Sequence, residues 1–369
     1  MRMDDNKIEY RQLMFSVVCF LQCVSIHMSV LLNNAAQSSW IVVVMSTITG
    51  IIGCLIISGL CEVYGRQNLY EILKSGMGKI LGIIVSALYL CFFSWKFCDT
   101  LFEFASFTRI AILPKTPGWI IELLIILVCA MAAKKGAAVF SGMSFIFAIS
   151  VLLFTVLSVF LLIPNFDLSN FLPIFPDETG VLAKGFYVSS AEPFGDIIAF
   201  TMLIPFVKGN GKNKKLTKAL VFGVIIGAVT LLLGILRDIA TLGVFSKFFT
   251  FPSFECVRLI DIGEVFSRVE LFYAILYTFL TFFKCTVLLF AISQLLKSIT
   301  NKKNNDFIII ISTVLFFAIA LGNKRVFNSI YMDLKYNVII SWIFAYGIPL
   351  LLLTAGAIKN KMKALNKNK

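Results

Sequence analysis

Histidine is almost missing from this chain of 369 residues, where His27 stands alone. That scarcity excludes a histidine-rich metal centre and the HExxH zinc motif, and it leaves no Ser/His/Asp constellation to assemble. Charge is scarce too, at 14% of residues, and acidic residues (20) are outnumbered by basic ones (33). The runs Gly76-Met77-Gly78-Lys79 and Gly209-Asn210-Gly211-Lys212 lack the spacing of a phosphate-binding Walker loop. Nine cysteines make an odd count, and all but Cys256 fall in or at the ends of apolar stretches. That is the usage of a small buried hydrophobe, not of a disulfide framework. No catalytic residue, metal or cofactor is expected.

What the chain does have is apolar surface. Hydrophobic residues make up 59% of it and mean hydropathy is +0.91, so the surrounding solvent is read as lipid. About ten stretches are candidates to cross a bilayer: Gln12–Leu32, Trp40–Leu60, Ile80–Leu113, Trp119–Ala133, Ala137–Ile163, Ala183–Val207, Ala219–Leu242, Val269–Leu296, Phe307–Gly322 and Asn337–Ile358. Trp119–Ala133 and Phe307–Gly322 are short for the task. The net charge of +13 does not point to nucleic acid, because the basic residues sit in short connections. They gather before the first span, after the second, fourth, sixth and eighth, and in the tail Lys359–Lys369. By the positive-inside rule both termini are expected in the cytoplasm, with the tail resting on anionic headgroups. Asp4, Asp5 and Glu9 ahead of the first span argue against a cleavable signal peptide.

Two spans carry polar or helix-breaking residues at mid-length. The first holds Gln22, Ser25 and His27, and the sixth holds Glu192-Pro193-Phe194-Gly195-Asp196. Broken spans in matching positions of two halves point to a midplane binding site between inverted repeats, here about 10–163 and 180–360. Pro193 cannot donate an intrahelical hydrogen bond and Gly195 weakens the helix, so Glu192–Asp196 is expected to unwind and to part its two carboxylates. The freed backbone groups suit a small zwitterion, although Ser189, Ser190 or water could satisfy a simple kink. The candidate ligand contacts are Gln22, Ser25, His27, Ser190, Glu192, Phe194, Gly195 and Asp196.

A second set of ionisable residues lies within spans. Lys96, Asp99 and Glu103 share one helical face, and Lys284 sits deep in the eighth span. The expected pairing is Lys96 with Asp99, with Lys284 either neutralising Glu103 or Asp99 or standing as a fixed cation where a coupled transporter holds sodium. Arg237-Asp238 and Glu270, near span ends, are expected at the interface. Glu62–Lys79 reads as an interfacial inner helix, and Phe245–Arg268 as an amphipathic outer one that lies on the membrane or docks a partner.

Four stretches resemble the permease-like B subunit of bacterial spore germinant receptors, within the amino acid–polyamine–organocation superfamily. Asn170-Phe171-Leu172-Pro173-Ile174 is similar to an outer-loop element of that family. Pro193-Phe194-Gly195-Asp196, followed by Phe200 and Pro205, resembles its broken sixth helix, with Asp where Glu is usual. Phe251-Pro252-Ser253-Phe254, Arg258, Ile260, Ile262-Gly263 and Arg268-Val269-Glu270 resemble the outer segment before its eighth helix, and Phe283-Lys284 a pair within that helix. Two departures stand out: the first span lacks the family's glycine, and Ala137–Ile163 lacks the lysine that some superfamily transporters use for proton coupling. The resemblance implies an all-α polytopic bundle in the spore inner membrane, a small nutrient as ligand, and A-type and C-type receptor subunits as partners. Two rival readings are a secondary active amino acid transporter and a passive ion or water pathway lined by Lys96, Asp99, Glu103 and Lys284.

Overall fold

Helices account for nearly all of the regular structure. The computed structural model describes residues 7–23, 35–175, 179–209, 213–261, 268–301 and 334–367. Its α-helices are α1 (Tyr10–Gln22), α2 (Ser39–Tyr64), α3 (Leu69–Met77), α4 (Lys79–Ala111), α5 (Gly118–Lys135), α6 (Ala137–Leu162), α7 (Thr179–Ala191), α8 (Asn213–Leu242), α9 (Pro252–Arg258), α10 (Glu270–Thr300), α11 (Leu334–Trp342) and α12 (Ile348–Lys367). A π-helical turn, Ile343–Gly347, joins the last two. Among the described residues there is no sheet, only an isolated bridge between Ile8 and Val207.

Six helices are long and apolar enough to cross a membrane: α2, α4, α6 with its extension to Asn165, α8 with its extension to Phe248, α10, and Asn337–Asn360. Their outward faces are apolar: Ile48, Ile52 and Leu55 on α2, and Ile146, Leu153, Leu157 and Phe160 on α6, are exposed. Their polar side chains turn inward, where Ser46, Lys96, Glu103, Ser144 and Lys284 are buried. That inversion is what lipid imposes, since only the bundle interior offers hydrogen-bond partners. The short fourth candidate span is a continuous helix, α5. The ninth, Phe307–Gly322, lies outside the described residues.

The bundle closes through small residues. A methyl group built on Gly223 would stand 2.7 Å from the Met14 carbonyl oxygen, and one on Gly227 would stand 2.9 Å from Leu21 Cδ1, so α1 lies almost backbone to backbone on α8. α10 is the most buried of the six spans and packs on α4, α5 and α6.

Three expectations are corrected. The inner helix is real but shorter, as α3, capped by Asn68 accepting from the Glu71 amide. Its Leu69, Ile72 and Leu73 pack into the protein core, with Gly82 of α4 close against the Lys74 backbone, so protein rather than lipid covers them. The outer amphipathic stretch is not one helix: a 3-10 segment, Gly243–Phe248, precedes the seven-residue α9, and 262–267 lie outside the described residues. Phe254 of α9 packs edge-on to Phe107, and Cys256 and Val257 are fully buried, so its apolar side serves the core. Burial also pushes the Cys256 thiol up, which suits packing and not reactivity. Arg237 and Asp238 are not interfacial but buried, because α8 continues into the outer 3-10 turn and α9 covers their level. Glu270 is partly buried and lies 3.3 Å from Arg268.

Candidate functional site

The sixth span breaks where Pro193 stands. α7 makes its last backbone bond from Glu192 N to Val188 O, and the chain then turns through Glu192–Phe194. It resumes as a 3-10 helix, Gly195–Met202, followed by a second short one, Ile204–Phe206. The backbone freed by the break finds a partner in the last span, where the Tyr346 hydroxyl donates to the Ser190 carbonyl at 3.0 Å. Gly195 faces Ala345, which a built methyl group would approach to 3.1 Å. The π turn therefore sits directly against the break.

Both carboxylates of the break turn inward and meet two lysines from other helices. Lys96 of α4 pairs with Glu192 Oε2 and lies 3.2 Å from Asp196 Oδ1. Lys284 of α10 lies 3.3 Å from Glu192 Oε1 and 3.3 Å from Asp196 Oδ2. All four side chains are buried. The carboxylates are thus not parted as expected: both meet the same two ammonium groups, which offset their mutual repulsion. Lys96 and Lys284 thus both reach the acids of the sixth span, partners that the sequence had not singled out. Asp99 also acts electrostatically on Lys96, and Glu103 on Lys284. Around the cluster, Lys284 Nζ lies 5.5 Å from the Phe20 ring centroid and Lys96 Nζ lies 4.9 Å from that of Trp95. These rings replace part of the hydration the cations give up.

The remaining candidates divide. Gln22 ends α1 and donates to the Gly227 carbonyl of α8 at 2.7 Å, and Ser25 and His27 lie outside the described residues. The Ser190 hydroxyl donates to the Ser46 hydroxyl at 3.3 Å. Phe194 is buried against Gly50 of α2, beside the cluster rather than within it. Tyr346 escaped the sequence reading, although a tyrosine ahead of Gly347 and Pro349 in an apolar span was a usable signal.

The start of α1 and the end of the sixth span are tied together. Ile8 N donates to Phe206 O at 2.7 Å and Lys208 N to Ile8 O at 2.8 Å. Arg66, between α2 and α3, donates through one terminal nitrogen to the carbonyls of Lys208 (3.2 Å) and Gly209 (2.8 Å), and through the other to the Tyr10 hydroxyl at 2.9 Å. No sequence pattern marked Arg66, because its acceptors are mostly backbone.

The family model described as "Spore germination protein" matches residues 7–327. Spore germination protein KB of Bacillus subtilis (strain 168) is 23% identical over 296 residues, covering 78% of this chain and 78% of that protein. Spore germination protein XB of Bacillus anthracis is 24% identical over 293 residues, covering 76% and 78%. Among solved structures, the nucleobase-cation-symport-1 transporter Mhp1, closed with bromovinylhydantoin bound, superposes with a TM-score of 0.67 at 12% identity, over 88% of this chain and 74% of that one. A mutant of the Eremococcus coleocola manganese transporter gives 0.62 at 11% identity, over 93% and 78%. These likenesses show the fold, an all-helical transporter fold, and the family is one of receptor- and transporter-type membrane proteins. A chain with this bundle and this match is an integral membrane protein, and it belongs to the spore germination protein family.

Proposed function

We propose that this chain is the nutrient-sensing subunit of a spore germinant receptor, lying in the spore inner membrane with both termini cytoplasmic and working with A-type and C-type subunits. The observation that carries this reading is the buried cluster of Lys96, Lys284, Glu192 and Asp196 at a broken span. A small zwitterion such as an amino acid matches it by exchange. The ligand ammonium takes Glu192 and its carboxylate takes a lysine, so charge stays balanced as pairs swap. Gln22, Ser25 and His27 from the first span, with Ser190, Phe194, Gly195 and Asp196, complete the proposed pocket. Ligand then biases the bundle toward one of two arrangements, and the partner subunits read that bias. Both carboxylates already face ammonium groups, which favours sensing over sodium-coupled uptake, since little uncompensated negative charge is left for a metal ion at the pair.

The test is a germination dose–response in strains carrying Glu192→Gln or Gly195→Leu, with protein abundance checked by immunoblot. Loss of a charged hydrogen bond at Glu192 is expected to raise the half-maximal ligand concentration by roughly tenfold to hundredfold. Gly195→Leu is expected to impair the response by driving a side chain into Ala345. An unchanged half-maximal concentration in both, at normal abundance, rejects the site.

A further inference from the structure

A small cavity lies between α1, α6, α8 and α10. It has a volume of about 70 Å³ and is lined by Gln22, Thr155, Thr230, Arg237, Tyr277 and Leu280, among others. At one end Arg237 is 4% exposed. Its Nε and one terminal nitrogen donate to Asp238 Oδ1 at 2.9 and 2.7 Å, and the other terminal nitrogen donates to the Ser158 hydroxyl at 2.6 Å. Ser253 occupies the second Asp238 oxygen. A guanidinium carries five N–H donors, so these bonds use three of them. Each terminal nitrogen keeps one N–H for which no acceptor is found among the described residues, and Arg237 borders the cavity.

We propose that this cavity is a hydration site, held by Arg237 and the hydroxyls around it, that carries water from the outer end of α8 down to Gln22. Magnitudes select water over an anion. Asp238 already balances Arg237, so an anion would add a net buried charge, at a cost of several kcal/mol. Water is neutral and supplies the acceptors that the guanidinium lacks. The volume exceeds what a single water needs, and Arg237, Thr155, Thr230 and Ser253 on its lining supply polar partners. At its other end the cavity is lined by Leu280, one helical turn from Lys284 on α10, and by Gln22, which is held to Gly227. The hydration site shares Gln22 with the proposed germinant pocket but rests on Arg237 and not on Glu192.

The experiment is hydroxyl-radical footprinting of the full chain in lipid nanodiscs, read by mass spectrometry, because radicals form from water and mark the side chains beside it. Tyr277, although only 3% exposed, is expected to label several-fold faster than Tyr89, which is fully buried and does not border the cavity. Thr230→Leu, which fills the cavity without touching the Arg237 pair, is expected to bring Tyr277 down to the Tyr89 level. Equal labelling of Tyr277 and Tyr89 in the unmodified protein overturns the proposal. So does a melting temperature that rises when chloride replaces gluconate and loses that response in Arg237→Gln, the signature of an anion in place of water.

Discussion

Lys284 is 1% exposed and faces two carboxylates, and Lys96 beside it does the same. In such an arrangement the desolvation of each ion is offset only while its partners stay charged. Removing one member leaves an uncompensated buried charge, at a cost of about 3–5 kcal/mol. Lys284→Met is therefore expected to lower the stability of the detergent-purified protein by that amount. Adding Glu192→Gln to it removes the charge left over, so the double variant is expected to be less destabilised than the sum of the singles. Thermal unfolding of the three variants measures the coupling, and additive losses would contradict a shared cluster. The same logic explains the Arg237–Asp238 pair, whose charges are buried together and tied to Ser158 and Ser253.

At the scale of elements, the ends of the first and sixth spans near Ile8 and Val207 are joined through Arg66 as well as through backbone bonds. Arg66 reaches backbone carbonyls at the end of the sixth span and the Tyr10 hydroxyl at the start of α1. The bridge between Ile8 and Val207 lies within this latch, while the Glu9–Lys208 pair is exposed and contributes little. A cysteine pair at Ile8 and Val207 is expected to crosslink readily under mild oxidation, as mapped by mass spectrometry. Arg66→Ala is expected to cut the crosslink yield several-fold, and Arg66→Lys is expected not to restore it. A point-charge ammonium cannot replace a planar fork that serves several oxygens at once. Yields that stay constant across all three backgrounds would show that Arg66 does not hold these ends.

At the scale of the whole molecule, the chain shares its fold with Mhp1, and its sixth span is broken. We propose repeats over about 10–163 and 180–360, related by an axis in the membrane plane. Cysteine pairs introduced around Ser25 in the first span and around Phe194 in the sixth are then expected to crosslink across that axis. Failure of every pair in the region would remove the two-repeat reading while leaving the family assignment untouched.

Much of this was legible in the residues. Lipid as solvent makes long apolar runs unmistakable, and α2, α4, α6, α8 and α10 fall where those runs lie. The break at Glu192-Pro193-Phe194-Gly195-Asp196 was legible because a missing N–H is a local property of proline. The sequence also required that Lys96 and Lys284 find partners, since an unpaired charge at that depth is too costly. It did not say which partners. A lysine ammonium stands far from its own backbone, so the approach of α4, α10 and the sixth span brought Glu192 and Asp196 to both lysines. The depth of Arg237 depended on a 3-10 extension and on α9 folding over it, and the role of Arg66 depended on where backbone carbonyls came to rest. The sequence by itself determined the solvent, the helices and the place of the break, because each follows from the chemistry of a short segment. Only the tertiary structure decided the pairing of charges, because that depends on which segments meet.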